Sequence, residues 1–532
     1  MTQVLVVGAG PTGLVLALWL ARLGARVRII DKATEPGTTS RAVVVQARTL
    51  ELYRHVGIEQ AVVASGRKAA AVNLWVEGRR RARLVLGDIG AGLSPYPFAL
   101  VYPQDEHERL LIERLADLGV RVERGSELVD FEEADDRIHA HVKRADGSTE
   151  TIDCAYLAGC DGAHSTVREA LRIGFPGGTY EHLFYVADVQ ARGGVTNGEL
   201  HLGLDAADFL VVFPLVGANH ARLIGTVRKE AEREHEHLTW NDVSKRVIQW
   251  MRLDVEQVNW FSTYHVHHRV ADRFRQGRTF IVGDAAHIHS PVGGQGMNTG
   301  IGDAVNLAWK LAAVVHGRAN ADILDTYEPE RIAFARRLVA TTDQVFTLVT
   351  SAGPFARRVR LDVVPWLLPS LFRMPAFRRL MFRTVSQTAV NYRGSRLSEG
   401  RAGSVRGGDR LPWVKTVADG VASDNFAALT SLDWQAHVYG DADPALRAMC
   451  GSRHIALTVF PWTAEARRAG LRRGAVYLVR PDGYVGLAAS VGAAAALASY
   501  IDAHGITPVS PDRSAPAPIQ DRTGGADAAA SR

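Results

Sequence analysis

The 532-residue chain has little cysteine: Cys154, Cys160 and Cys450 are its only three, and no two stand at CxxC spacing. That leaves no disulfide framework and no zinc-ribbon site, and it suits a reducing cytoplasm. An excess of one charge sign is also lacking. Sixty-two basic against 57 acidic residues leave +5, too little over this length to point to nucleic acid. Uncharged runs of membrane-spanning length are missing as well. The most apolar stretch, VLVVGAGPTGLVLALWLARL, is interrupted by Gly8, Gly10, Pro11 and Gly13 and has no basic segment ahead of it. It reads as a strand followed by a helix, not as a signal or a span. No internal repeat is evident. The remainder, 47% hydrophobic and 22% charged, describes a soluble globular chain of roughly two to four domains.

Three motifs carry chemistry. The first, Gly8-Ala9-Gly10-Pro11-Thr12-Gly13, lies between a strand over residues 3–7 and a helix over 11–23. In this setting Gly8 permits a tight turn, Gly10 lets a diphosphate approach the backbone, and Gly13 lets helix and strand pack closely. Asp31, followed by Lys32, ends a second strand over residues 25–30, where a carboxylate can accept from ribose hydroxyls. The spacing predicts a dinucleotide site. With only one such fingerprint, one cofactor is resident and any second nucleotide must visit. The second motif, LAGCDGAHSTVRE, ends a strand at Asp161-Gly162 and places Ser165 and Arg168 on the turn and helix that follow. Alone it reads equally well as a capped turn. The third is GRTFIVGDAAHIHSPVGGQGMNTGIGDAVNLAWKL, residues 277–311. A short strand delivers Asp284 to a sheet edge, within reach of hydroxyls on an extended polyol. The glycine-rich segment then exposes backbone N–H groups to a flat ring, and a helix from about Asn298 favours negative charge at its start. A flavin with its ribityl chain satisfies all three demands.

With SRAVVVQARTLEL (residues 40–52) and YPQDEHERLL (residues 102–111), these motifs make residues 1–345 resemble the single-component FAD-dependent aromatic hydroxylases, the relatives of para-hydroxybenzoate hydroxylase and phenol hydroxylase. The resemblance implies an α/β fold: a Rossmann-like FAD-binding domain (residues 1–173 and 271–342) with an inserted antiparallel β-sheet substrate domain (174–270). A helical bridge (343–397), a thioredoxin-like domain (398–504) and a disordered tail (505–532) complete it. It further implies that Gly8, Gly10, Pro11, Thr12, Gly13, Asp31 and Lys32 serve the ADP half of FAD. Arg41 and Gln104 would lie near its diphosphate and ribityl region. Asp161 would serve FAD and a visiting NAD(P)H, and Asp284 the ribityl and diphosphate. Pro291, Gly293, Gly294, Gly296, Met297 and Asn298 would line the ring. Asp31 stands where Glu is commoner and Cys160 where Ala is usual; neither affects FAD binding. The implied reaction uses NAD(P)H and O2 to hydroxylate a phenolic, aromatic or polyketide-like compound through a flavin hydroperoxide. Baeyer–Villiger insertion or epoxidation would use the same cofactor, and a non-catalytic binder of aromatic compounds stands as a third reading. No WxWxIP-like segment supports a halogenase.

Substrate is expected between the inserted sheet and the flavin, which nominates His201, Phe213, Tyr264 and His268, each equally readable as a packed sheet residue. His265, His267, His268, His287 and His289 lack a completing carboxylate or cysteine pattern, so no metal is assigned. The arginine- and aromatic-rich segment 355–383 reads as a bridging helix pair packed on the flavin domain in preference to a membrane-surface element, because Pro354, Pro365, Pro369 and Pro375 break any long helix. The C-terminal segment, without CxxC, is read as packing or oligomer surface, and the catalytic base is left unassigned.

Overall fold

In the computed structural model the described residues are 2–37, 42–205, 208–227, 238–350, 353–418 and 421–509. The expectations placed on Arg41 and on residues 510–532 of the tail lie outside them.

Residues Thr2–Val7 form a strand because four consecutive apolar side chains can be buried only at the centre of a parallel sheet; Val4, Leu5 and Val6 have no exposure. The helix Pro11–Arg22 starts with proline at its first position and ends at Gly24, whose φ of 80° supplies the left-handed turn. It is buried from Gly13 to Leu20, so it is sandwiched rather than amphipathic. The sheet runs in the order Thr279–Ile281, Thr149–Gly159, Thr2–Val7, Val27–Asp31, Val122–Arg124, all parallel. Its register brings Ile30, Val7, Gly159 and Ile281 abreast. All three motifs therefore leave the sheet at the same carboxyl edge, where open α/β sheets bind ligands.

The second sheet is larger than residues 174–270. Its eight strands include the hairpin Ala71–Val76 and Arg79–Val85, pairing in parallel with Leu200–Leu204, and His287–Ile288 at the opposite edge. Its spine is two long antiparallel strands, Gly177–Arg192 and Asp254–Val270. One face is covered by Val247, Ile248 and Met251 of the segment around the helix Arg246–Trp250. The other turns towards the first sheet.

After the helix Tyr327–Thr350, the basic segment forms helices Pro354–Arg358, Val364–Phe372 and Pro375–Val385. Leu361, Val364, Leu368 and Phe372 pack on Leu74, Ala82, Leu84 and Leu204. The 361–372 stretch thus rests on the hairpin 71–85 of the second sheet, which lies within the residues 1–173 expected to form the flavin domain. Pro369 sits inside a helix without ending it. Among the described residues no helix is long and apolar enough to cross a membrane.

A third sheet is formed by 399–489, with Gln435–Tyr439 parallel to Ala456–Phe460 and antiparallel to Val476–Val479, which pairs with Val485–Ala489. Buried ion pairs join it to the first domain: Arg480 to Glu330 at 2.8 Å, and Glu330 to Lys310 at 2.8 Å, all fully buried. Arg410 donates to Glu51 at 2.8 Å.

Candidate active site

The carboxyl edge of the first sheet is built from the glycine turn outward. Gly8 has φ of 102°, and a Cβ there would press on the Cys160 carbonyl. A Cβ on Gly13 would lie 1.9 Å from the Gly8 carbonyl oxygen. These two glycines are required by the protein's own packing. Gly10 differs: a Cβ would meet nothing within 4 Å. The turn is thus an open cradle at Gly10, in front of a helix start with no side-chain cap and no acidic residue in its first turn. Asp31 braces it, accepting from Ala9 N–H at 2.6 Å and Ala33 N–H at 2.8 Å, with Arg124 at 3.6 Å. Lys32 is exposed beyond it. Unpaired N–H donors, a helix dipole and open space are what a diphosphate needs.

Thr12 joins this motif to the third. Cβ atoms on Gly283 and Gly300 would fall 2.6 and 2.4 Å from its Oγ1, so both positions are glycine to admit Thr12. Gly283–Ala285 forms a single turn with Asp284 exposed at the sheet edge. Arg168, buried, donates to the Ala285 and Ala163 carbonyls at 3.0 and 2.9 Å and so ties the second motif to the third. Asp161 accepts from Ser165 Oγ at 2.6 Å and Val167 N–H at 3.1 Å, which caps the short helix Thr166–Ala170; burial pushes its carboxyl above the usual range.

The segment 291–295 forms a turn, with Gly293 and Gly294 at φ of 76° and 61°, ahead of the helix Gly296–Val315. That helix start, too, has no side-chain cap and no acid in its first turn. Pro291 and Gly293 are exposed, and Met297 packs on the core. Asn298 is fully engaged: its Oδ1 accepts from Gln46 N–H (2.8 Å) and Thr49 Oγ1 (2.7 Å), while Nδ2 donates to the Val44 and Gly294 carbonyls (2.9 and 2.8 Å). Its side chain shapes the loop; what the segment offers outward is backbone. Gln104 accepts from Ala42 N–H at 3.2 Å, and so holds the residue after Arg41.

The four substrate candidates divide. His201 pairs with Val212 across the ladder and Phe213 with Arg222, so the two histidine and phenylalanine side chains point to opposite faces. His201 lies on the face covered by the 247–251 segment, accepts from Trp75 Nε1 at 3.0 Å, and has its other ring nitrogen 2.9 Å from Asn197 Oδ1. Burial lowers its pKa to about 4. It is a satisfied core histidine, on the face opposite Phe213. Phe213, Tyr264 and His268 share the face turned inward. Phe213 and Val44 pack against one cluster, Val43, Ala69, Val101 and Leu200, and Val44 abuts Gly294. Tyr264 lies in a cluster with Phe184 and Tyr180, and the His268 ring lies tilted against that of Tyr180 with centroids 4.8 Å apart.

Two features escaped the sequence reading. Asp303, fully buried, accepts from Gly283 N–H (3.2 Å), His287 Nε2 (2.6 Å) and Arg331 Nε (2.5 Å) and locks the Asp284 turn to the long helix. Arg222, buried beside Phe213, pairs with Asp188 at 2.6 Å. The signal for Asp303 was present: Asp303, Asn306 and Lys310 form a polar stripe on an otherwise apolar helix, a pattern that demands buried partners.

Fold and site together define a flavoprotein on a dinucleotide-binding scaffold. A family model described as an FAD binding domain matches residues 1–342. The 6-methylpretetramide 4-monooxygenase of Streptomyces rimosus is 36% identical over 91% of this chain and 90% of its own. Pentachlorophenol 4-monooxygenase of Sphingobium chlorophenolicum is 31% identical over 77% and 75%. The solved structure of OxyS anhydrotetracycline hydroxylase from Streptomyces rimosus superposes with a TM-score of 0.78 at 28% identity, covering 95% of this chain and 99% of that one. The chain belongs to the FAD-binding-domain family of flavin monooxygenases, and its cofactor is FAD.

Proposed function

We propose that this flavin monooxygenase consumes NAD(P)H and O2 to hydroxylate an electron-rich ring, phenolic and of polyketide-like size. The observation that carries the proposal is the convergence through Thr12 of the open glycine cradle, the Asp284 turn and the start of the long helix, opposite an inward sheet face bearing Phe213 and Tyr264. FAD, when bound, supplies the redox chemistry and oxygen activation that no side chain here can provide. The chain's residues do the rest. Gly8, Gly10, Gly13 and the first N–H groups of the helix Pro11–Arg22 would hold the diphosphate, with Asp31 beside the adenosine ribose. Asp284 would accept from the ribityl hydroxyls. The 293–298 backbone would direct N–H donors at the electron-poor ring and so favour its reduced, anionic form. Phe213 and Tyr264 would exclude water from the substrate ring. The family relatives named above act, by their names, on a pretetramide and a chlorinated phenol, which supports a phenolic substrate.

We read the C-terminal unit as thioredoxin-like in topology and without redox function. Its strand order supports the first point. Cys450 is buried, with its thiol pushed up to about 11 by that burial, which supports the second. An anaerobic stopped-flow screen tests the enzyme reading: phenols, naphthols and polyketide aromatics should include compounds that accelerate NAD(P)H-driven flavin bleaching. Bleaching indifferent to every ring compound would remove the hydroxylase assignment.

A further inference from the structure

The segment between the long helix Tyr327–Thr350 and the third sheet carries charge and apolar surface together. Residues 355–383 hold seven arginines and one aspartate, a net +6, whereas the whole chain nets +5. The remainder therefore nets −1, and the positive charge of the protein is concentrated here. Of twelve large apolar side chains exposed among the described residues, six lie in the same stretch: Phe355, Val363, Trp366, Leu367, Met374 and Leu380. Phe355 and Trp366 are 79% and 77% exposed. The helical period explains the arrangement. In Val364–Phe372, the side chains of Val364, Leu368 and Phe372 pack on the hairpin 71–85, so Trp366 and Leu367 point the opposite way. In Pro375–Val385, Phe382 is buried while Arg379, Leu380 and Arg383 are exposed. Pro354, Pro365 and Pro375 stand at helix starts and shape this face without removing it. A helix apolar on all sides needs cover on all sides, and Val364–Phe372 has it on one.

We propose that this face docks the protein on a membrane surface containing anionic lipid, with Trp366 and Leu367 entering the acyl boundary and the arginines meeting headgroup phosphates. Charge complementarity selects that occupant. A second copy of the chain, related by a two-fold axis, would set +6 against +6. Arginine stems beside exposed tryptophan and leucine suit a headgroup layer, where the guanidinium groups reach outward to phosphate while the stems cover apolar surface.

The test floats the FAD-loaded full chain with phosphatidylcholine vesicles, with and without phosphatidylglycerol. Wild type should float with the acidic vesicles and not with the neutral ones, and added salt should release it. Trp366→Ser should weaken the partition about tenfold. Arg379→Ser with Arg383→Ser should weaken it roughly thirtyfold, at about fivefold per arginine. Arg467→Ser with Arg468→Ser removes the same charge from an exposed turn of the C-terminal unit and should stay within about twofold of wild type. FAD content and melting temperature report the fold of each variant. The proposal is overturned if wild type stays off the acidic vesicles, which would leave an acidic protein as the partner, or if it floats equally with both kinds. It is also overturned if Trp366→Ser floats like wild type, or if the Arg467 and Arg468 pair costs as much as the Arg379 and Arg383 pair. A dimer in sedimentation velocity that Trp366→Ser dissolves would overturn it too, and would give the face to a second copy.

Discussion

Alanine at Gly10 and alanine at Gly13 should separate cofactor binding from folding. At Gly13 the added Cβ would lie 1.9 Å from the Gly8 oxygen, and real Cβ contacts do not fall below 3.0 Å. The helix must therefore retreat by at least 3.0 − 1.9 = 1.1 Å. Overpacking of that kind costs about 1–3 kcal/mol, and it is felt by the apoprotein. At Gly10 the backbone has φ of −75°, open to alanine, and the methyl meets nothing within 4 Å. Losing glycine at a helix N-cap costs the apoprotein under about 1 kcal/mol. The same methyl projects into the space assigned to the diphosphate, where about 1–3 kcal/mol of overpacking weakens FAD binding by roughly 5- to 150-fold. Urea unfolding of the deflavinated proteins measures the first quantity, and FAD titration by fluorescence quenching the second. Gly10→Ala binding FAD like wild type would refute the cradle.

Asp303→Asn leaves the buried Arg331 guanidinium without its counter-charge and should cost about 3–5 kcal/mol in urea unfolding. Asp284→Ala should reduce FAD retention about tenfold or more with little change in apoprotein stability, since the residue is exposed; the FAD-to-protein absorbance ratio after dialysis reads it. Buried His107 and His437 have pKa lowered by burial to about 3, against 6.5 when unfolded. Between those values the unfolded chain binds more protons, so stability falls as pH falls from 6.5, by up to about 1.4 kcal/mol per pH unit for each histidine. Unfolding curves at pH 7.5, 6 and 5 should show this, and His437→Gln should flatten the slope. His201→Leu should lower the melting temperature and leave ring-compound binding unchanged, because its side chain points away from the inward face.

The parallel sheet was legible because its strands are short apolar runs ending in glycine or aspartate, and the three motifs were legible because each sits at such an end. Register explains why they meet, and register cannot be read from one chain: nothing in TFIVGD or LAGCDG says that Ile281 and Gly159 lie side by side. The hairpin 71–85 was missed because it pairs with a strand more than a hundred residues away and its outer strand, RRRARLV, is polar on its exposed side. His201 was misplaced by one step of alternation, since a strand's period of two sends neighbours to opposite faces and only pairing says which is inside. Asn298 illustrates the remaining gap: its place at the start of the long helix was legible, but its four hydrogen bonds to residues 44–49 and 294 depend on tertiary placement.

The most direct measurement is on the chromophore. Protein purified without added flavin, then heat-denatured, should release FAD at one per chain, and the stripped protein should rebind FAD far more tightly than FMN, because on the proposed reading the glycine cradle and Asp31 hold the ADP half that FMN lacks. A colourless protein that takes up neither, or one that binds FMN as well as FAD, would contradict the account.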